Sequence, residues 1–197
     1  MAYTNFSFSD LEEQFGIKQS IKRIFPSDIA PVQASDWLLQ TLAIAKKMPL
    51  RSEKAKSELL IAPVVTAVKL NNEDTIQVFS GEFLRVDRQL NGEIDFIFVR
   101  YPRAVDLRSP IFCVTEAKRG ALEDGFAQCA AQMYGAKKFN EIHKTEVESL
   151  YGAVSNGVDW KFLQLADDTV YIDENTYTIE QLPTLLGILQ EIIHRAI

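Results

Sequence analysis

Residues 93–99 read EIDFIFV, and a strand built from them is apolar on both faces. Alternation places Ile94, Phe96 and Phe98 on one side and Asp95, Ile97 and Val99 on the other. Such a strand cannot sit in a sheet with one wet face. It needs cover on both sides, which restricts the chain to folds in which helices or a second layer close over each face of a sheet. Asp95 is the one residue that breaks the pattern, and a carboxylate in the middle of a doubly covered strand requires a reason.

The surrounding elements follow from caps, periodicity and turn residues. Ser9 with Asp10 predicts the start of a helix running to Phe15 and ended by Gly16. Ser35 with Asp36 predicts a second through Lys47, stopped by Pro49. Ser52 and Glu53 open a third, whose apolar positions widen into a nearly continuous run over residues 59–68. Pro63 inside it predicts a kink or a break.

The period then changes to two. Residues 77–90 and 93–101 predict strands joined by Asn91-Gly92, a dipeptide that tolerates the positive φ of a tight hairpin. A two-residue turn there pairs Leu90 with Glu93, Gln89 with Ile94 and Arg88 with Asp95. Residues 111–118 predict the next strand, with Pro110 allowed at its start. Residues 122–140 predict a helix whose AQCAAQMYGA stretch suits close packing on a sheet. LYGAVS, VDWKFLQL and TVYID predict three more strands, the first two joined by Asn156-Gly157. Residues 178–197 predict an amphipathic helix with Leu182, Leu185, Leu186, Leu189 and Ile193 on one face and Pro183 in the first turn. The expected class is α/β, a mixed sheet flanked by helices. At 197 residues a single domain is expected, with a helical segment over 1–50, a core over 51–140, and a hairpin and helix over 141–197 completing it.

Two of these positions meet. Asp95 lies on one strand and Glu116 on the next, with Lys118 two residues further on and therefore on the same face as Glu116. Two carboxylates at close range repel unless a cation lies between them, and an all-oxygen site suits Mg²⁺, with Mn²⁺ as the alternative. A lysine beside a metal-bound water can orient that water or neutralise charge building on a phosphorus centre. The set is sufficient for phosphodiester hydrolysis.

Asp95 in GEIDF, then Glu116-Ala117-Lys118 at the end of a strand followed by a helix, resembles the PD-(D/E)XK nuclease superfamily with its restriction-endonuclease-like fold. The likeness covers roughly residues 51–140, with Ile94 standing where the family's usual proline precedes the Asp. It implies a mixed sheet flanked by helices and a Mg²⁺-dependent endonuclease, a hydrolase of restriction or repair type binding DNA. Asp95 and Glu116 would then be metal ligands, with the Ala117 carbonyl as an additional one. Lys118 would act on the water. Glu58, in KSELL on the preceding helix, would join the metal shell. Gln128 or Gln132, four apart on one helical face, would position water or substrate, with Gln128 the first choice. The resemblance also allows a homodimer that cuts both strands. The alternative it leaves open is a nuclease-fold domain without activity, acting as a binding or interaction module.

Simpler structural roles stand beside these. Asp95 pairs across the hairpin with Arg88, Glu116 and Lys118 form an edge-strand ion pair, and Glu58, Gln128 and Gln132 lie on solvated helix faces. Lys54, Lys56 and Arg119 are either surface charges or phosphate contacts. Trp37 and Trp160 are core or rim aromatics. The net charge of −6 argues against a protein that coats nucleic acid non-specifically. His143 and His194 are the only histidines, which gives a Ser-His-Asp site little support. GxxxxGK[ST], GxGxxG and HExxH are absent. Cys113 and Cys129 lack metal-ligand spacing, and both are expected to be reduced and buried. No basic-then-apolar leader is visible and no apolar run approaches a membrane span. The expected setting is cytoplasmic, with no membrane partner.

Overall fold

The computed structural model describes residues 2–196. Helix α1 (Phe8–Phe15) is capped by Ser7, two residues earlier than expected. Ser7 accepts from the Asp10 N–H while the Asp10 carboxylate accepts from that of Ser7, a reciprocal capping box, and Gly16 closes the helix at φ 72°. Strand β1 (Lys18–Lys22) follows, then α2 (Asp36–Ala45), whose first turn is held by the Ser35 side chain. Short helix α3 (Glu53–Lys56) passes into a π turn (Ser57–Ile61) and on into α4 (Ala62–Asn71). The break expected at Pro63 takes this form. Pro63 has no N–H to donate back along the helix, and the chain widens by one residue just before it, with the Ala62 N–H reaching the Ser57 carbonyl.

The first hairpin differs from its expected form. Strands β2 (Gln77–Arg85) and β3 (Asn91–Val99) pair with Arg85 opposite Asn91, Leu84 opposite Gly92 and Glu82 opposite Ile94. Asn91-Gly92 thus lies inside β3, and the connection is the five residues 86–90. Asp87 decides this: its Oδ1 accepts from the N–H groups of Gln89 and Leu90, at 2.6 and 2.8 Å, and builds the turn ahead of the Asn-Gly pair. The shift moves Asp95 away from Arg88 to a place opposite Gly81, whose φ is 68°. Alternation breaks there. Ile94 packs with Tyr3, Leu84 and Leu90 rather than with Phe96 and Phe98.

Strand β4 (Ile111–Ala117), helix α5 (Phe126–Ile142) and strands β5 (Leu150–Ser155), β6 (Asp159–Ala166), β7 (Thr169–Asp173) and β8 (Tyr177–Thr178) complete the sheet, and α6 (Leu182–Ala196) closes the chain. The strand order is β1-β7-β6-β5-β4-β3-β2, with β8 pairing to β6. The β1–β7 and β4–β5 pairs are parallel and the others antiparallel. The fold is therefore α/β, with a mixed eight-stranded sheet and helices on both faces. The first fifty residues are not purely helical: KQSIK forms an edge strand on β7. Its charged, exposed side chains leave no apolar alternation to betray it, and they discourage edge-to-edge association.

One face of the sheet presents Phe96, Phe98, Trp160 and Phe162 to α2, α4 and α6. The other presents Ile97, Val114 and Leu163 to α5, Tyr3 and α1. Cys113 and Cys129 are free and buried, as expected. Among the described residues no helix is long and apolar enough to cross a membrane. Helix α5 lies close to the strands because Gly152 offers only a hydrogen where Met133 and Cys129 approach.

Tyr3 wedges into the same layer against Gly135 of α5, and a Cβ at 135 would fall well inside contact distance of the Tyr3 hydroxyl. That hydroxyl is buried with no hydrogen-bond partner. Gly135→Ala should therefore destabilise the protein by about 1–3 kcal/mol through overpacking. Tyr3→Phe should be neutral or stabilising by about 1 kcal/mol, because it removes an unsatisfied buried group. Urea denaturation of the two variants checks both signs, and a strongly destabilised Tyr3→Phe would contradict this account of the wedge.

Candidate active site

The site is assembled at one end of β3 and β4, in the interior of the sheet. The two strands pair Phe96 with Thr115 and Ile97 with Val114, so the next step of the ladder sets Asp95 opposite Glu116. Strand β4 lies between β3 and β5. This rules out the edge-strand reading of Glu116 and Lys118. The Lys118 N–H donates to the Ser155 carbonyl at 2.8 Å, continuing the β4–β5 ladder past the end of the strand and fixing where the lysine side chain begins.

Glu116 is only 4 % exposed. A buried carboxylate is tolerated where its oxygens are bonded, and here three donors reach it. Lys118 Nζ donates to Oε1 at 2.8 Å, Gln128 Nε2 donates to the same oxygen at 2.6 Å, and Gln132 Nε2 donates to Oε2 at 2.6 Å. Lys118 Nζ also donates to Gln128 Oε1 at 2.8 Å, which closes a three-membered ring of contacts. Gln128 and Gln132 are both buried. The solvated-face alternative is thus overturned for each, because α5 turns them towards β4. Gln132 pays with a stranded acceptor, since its Oε1 is buried without a partner.

Asp95 is half-buried, and its Oδ2 accepts from the Ala117 N–H at 2.7 Å. Its other oxygen carries no hydrogen bond within the described chain. Burial raises the Asp95 carboxyl above its ordinary range, opposed by the Ala117 N–H and reinforced by the charge of Glu53. Glu116 is pushed up to about 7, first by burial and then by the neighbouring charge of Asp95, against the lowering effect of Lys118. The Glu116–Lys118 contact is therefore an ion pair whose acid partner is poorly held in its charged form.

Asp95 opens into a cleft of 350 Å³ bounded by Glu53, Glu58, Ser80, Gly81, Glu93 and Ala117. Glu58 lines this cleft, yet its carboxylate is 63 % exposed and faces Lys54 at 3.8 Å. The acid from this segment whose charge presses on Asp95 is Glu53, which the sequence reading used only as a helix opener. Its Oε2 accepts from the Arg119 N–H at 2.9 Å, tying α3 to the end of β4. Glu53 and Glu58 are five residues apart and look equivalent in a helix rich in charge. The π turn separates their roles; Pro63 announced a break in the helix but not that form.

Gly125, at the entrance to α5, was also missed. A Cβ there would stand 2.7 Å from Val154 Cγ1 and 3.0 Å from both Cγ and Cε of Lys118. The lysine stem crosses the space that a side chain would fill, so Gly125 is a positioning residue for the ammonium.

Among the described residues there is no cluster of three or more His, Cys, Asp or Glu side chains able to hold a metal ion. The donors at the site nevertheless match a small hard cation: two carboxylates at one end of adjacent strands, a free oxygen on Asp95, and the Ala117 backbone at the cleft wall. Mg²⁺ ordinarily uses one or two carboxylates and keeps several waters, so a third acid is not demanded. No protein-family model matches this chain, and no curated protein matches it.

The elevated Glu116 sets a pH dependence. Its value in the fold lies above the ordinary 4.5 of a glutamate in the unfolded chain, so the folded state binds the extra proton in between. Its stabilising contribution is complete below pH 4.5 and is lost as pH rises through about 7. In EDTA, wild-type stability should fall across this window relative to Glu116→Gln, by at most about 1.4 kcal/mol per pH unit. Parallel urea midpoints of the two proteins across the window would refute this assignment.

Proposed function

We propose that this chain is a Mg²⁺-dependent nuclease of the PD-(D/E)XK, restriction-endonuclease-like type, hydrolysing phosphodiester bonds in DNA. The observation that carries the reading is the convergence of Asp95, Glu116, Lys118 and Gln128 at the same end of two interior strands, with the acid and the lysine in contact. A second carboxylate stands opposite this ion pair on the neighbouring strand and adds to burial in raising Glu116, the combination of desolvation and a specific charge partner that clusters at functional sites.

Asp95, Glu116 and the Ala117 carbonyl would hold Mg²⁺ or Mn²⁺, and the bound ion supplies Lewis-acid polarisation and a more acidic water. The chain's own residues provide the rest. Gln128 and Gln132 fix the two oxygens of the Glu116 carboxylate, which stands opposite Asp95 on the neighbouring strand. Lys118, held beside Glu116 and Gln128, would place a positive charge near the attacked phosphate and stabilise the charge that develops on its oxygens. Gln128 Oε1 keeps the ammonium within the site. Glu58 and Glu53 add negative charge at the cleft wall and favour cation entry. In the net reaction water adds to phosphorus, one P–O ester bond breaks, and the departing alkoxide takes up a proton.

A second reading, a nuclease-like domain serving as an interaction module without activity, draws on one feature. Lys118 is already committed to Glu116 and Gln128, and a retired site has no need to free it. The metal response separates the two. A working site should gain about 2.7 kcal/mol of stability at a Mg²⁺ concentration one hundred times its Kd, and Asp95→Asn should remove that gain.

Purified protein with Mg²⁺ or Mn²⁺ should cleave plasmid or oligonucleotide DNA. Asp95→Ala and Lys118→Ala should each lower the rate at least about 100-fold while circular dichroism and Tm remain those of a folded protein. Gly125→Ala should slow cleavage but keep the Mg²⁺-dependent rise in Tm, because it moves the ammonium and leaves the carboxylates in place. Absence of cleavage of both DNA and RNA by the wild type with either ion would end the enzyme reading.

A further inference from the structure

A groove on the outer face of α2 adjoins the carboxylate cleft and serves no purpose in the proposed chemistry. It is formed by Thr41, Ile44 and Met48 on one side and by Leu59 and Pro63 of the π turn and α4 on the other. Glu58 lines both this groove and the cleft that holds Asp95, so the two cavities share that residue as a wall. Ile44 is 61 % exposed and Met48 45 % exposed, and Trp37, at 46 %, extends the same face by helical spacing. The volume of 140 Å³ is below the roughly 300 Å³ of an ordinary small-molecule pocket. It is suited to one flat group.

The flanking charge says what that group is attached to. Residues 46–56, KKMPLRSEKAK, run from the end of α2 to α3 and hold five cationic residues against one carboxylate, in a chain of net charge −6. Lys46, Lys47, Arg51 and Lys54 are exposed. Lys46, Lys47 and Arg51 form no ion pair or side-chain hydrogen bond within the described residues. Lys56 donates to the Arg119 carbonyl at 2.8 Å, which brings this basic segment to the lysine end of β4. An apolar slot beside unpaired cations, leading to a site built for phosphodiesters, matches a strand whose phosphates lie on the cations and whose base is unstacked into the slot. Duplex DNA keeps its bases stacked inside and has nothing to place there.

We infer that the α2 groove and the basic segment 46–56 form a binding track for single-stranded nucleic acid, with one unpaired base lodged over Ile44 and Met48. The inference rests on the phosphodiesterase reading and narrows its substrate to an unpaired strand, or to an unpaired segment of a duplex.

The test is fluorescence anisotropy in EDTA, so that binding is read without cleavage, using a labelled oligothymidine of about 15 nucleotides and a duplex of equal length. Wild type should bind the single strand more tightly. Ile44→Ala with Met48→Ala should weaken single-strand binding about tenfold or more and leave duplex binding nearly unchanged. Lys46→Gln with Lys47→Gln and Arg51→Gln should weaken both and flatten the salt dependence. Equal affinity for strand and duplex, or apolar variants that bind as wild type does, would overturn the track. So would a wild-type dimer in sedimentation that Met48→Ala dissociates, because the face would then belong to a second copy. A protein that shows this binding pattern but cuts nothing with Mg²⁺ would retire the nuclease reading and leave the track standing.

Discussion

Holding the carboxylate of Glu116 inside the sheet is the constraint from which much of the neighbouring structure follows. Removing such a group from water costs several kcal/mol unless its oxygens are bonded. Three donors are supplied, two of them from one helix. For Gln128 and Gln132 to reach, α5 must lie close to β4 and β5, which its small residues and the bare Cα of Gly152 permit. For Lys118 to reach, the chain must leave β4 along the Ser155 carbonyl and pass Gly125, where a side chain would block it. Replacing Glu116 by an apolar residue would make most of these accommodations unnecessary, which is why they point to a use for the charge.

Asp95 depends on a different local device. Opposite it in the hairpin stands Gly81 at φ 68°, and the pleat breaks there, with Ile94 turned to the Tyr3 layer while Phe96 and Phe98 stay with the opposite core. The cleft exists at that break. Asp95 thus faces space bounded by α3 and the π turn instead of a packed neighbour, and one of its oxygens is left free while the other is tied to the Ala117 N–H. The net negative charge of the chain conceals how its charge is arranged. Acids gather in the cleft beside Lys54, while residues 46–56 gather five cations against one acid.

The class of fold was legible because apolar content on both faces of residues 93–99 leaves few ways to bury a strand. The core of the site was legible for a related reason: Asp95, Glu116 and Lys118 are charged residues at positions where the local pattern asks for Val or Leu. Their registration was not. Asn91-Gly92 is a sound hairpin signal, but Asp87, four residues before Asn91, bonds the N–H groups of Gln89 and Leu90 and takes the turn for itself. Glu53 and Glu58 were interchangeable in sequence, and only the π turn, an extra residue ahead of a proline, set one towards Arg119 and Asp95 and the other towards Lys54 and solvent. Strand β1 escaped notice because an edge strand with solvated faces carries no burial pattern to read.

By itself the sequence determined what short-range chemistry controls: most of the helices and buried strands, that the sheet is covered on both sides, and that three charges interrupt an apolar strand pair. Tertiary structure decided which of those charges meet, which helix amides turn inward to hold Glu116, and which acid stands over Asp95. Those contacts join residues far apart in the chain, and they depend on pleat, register and a few missing Cβ atoms that periodicity does not encode.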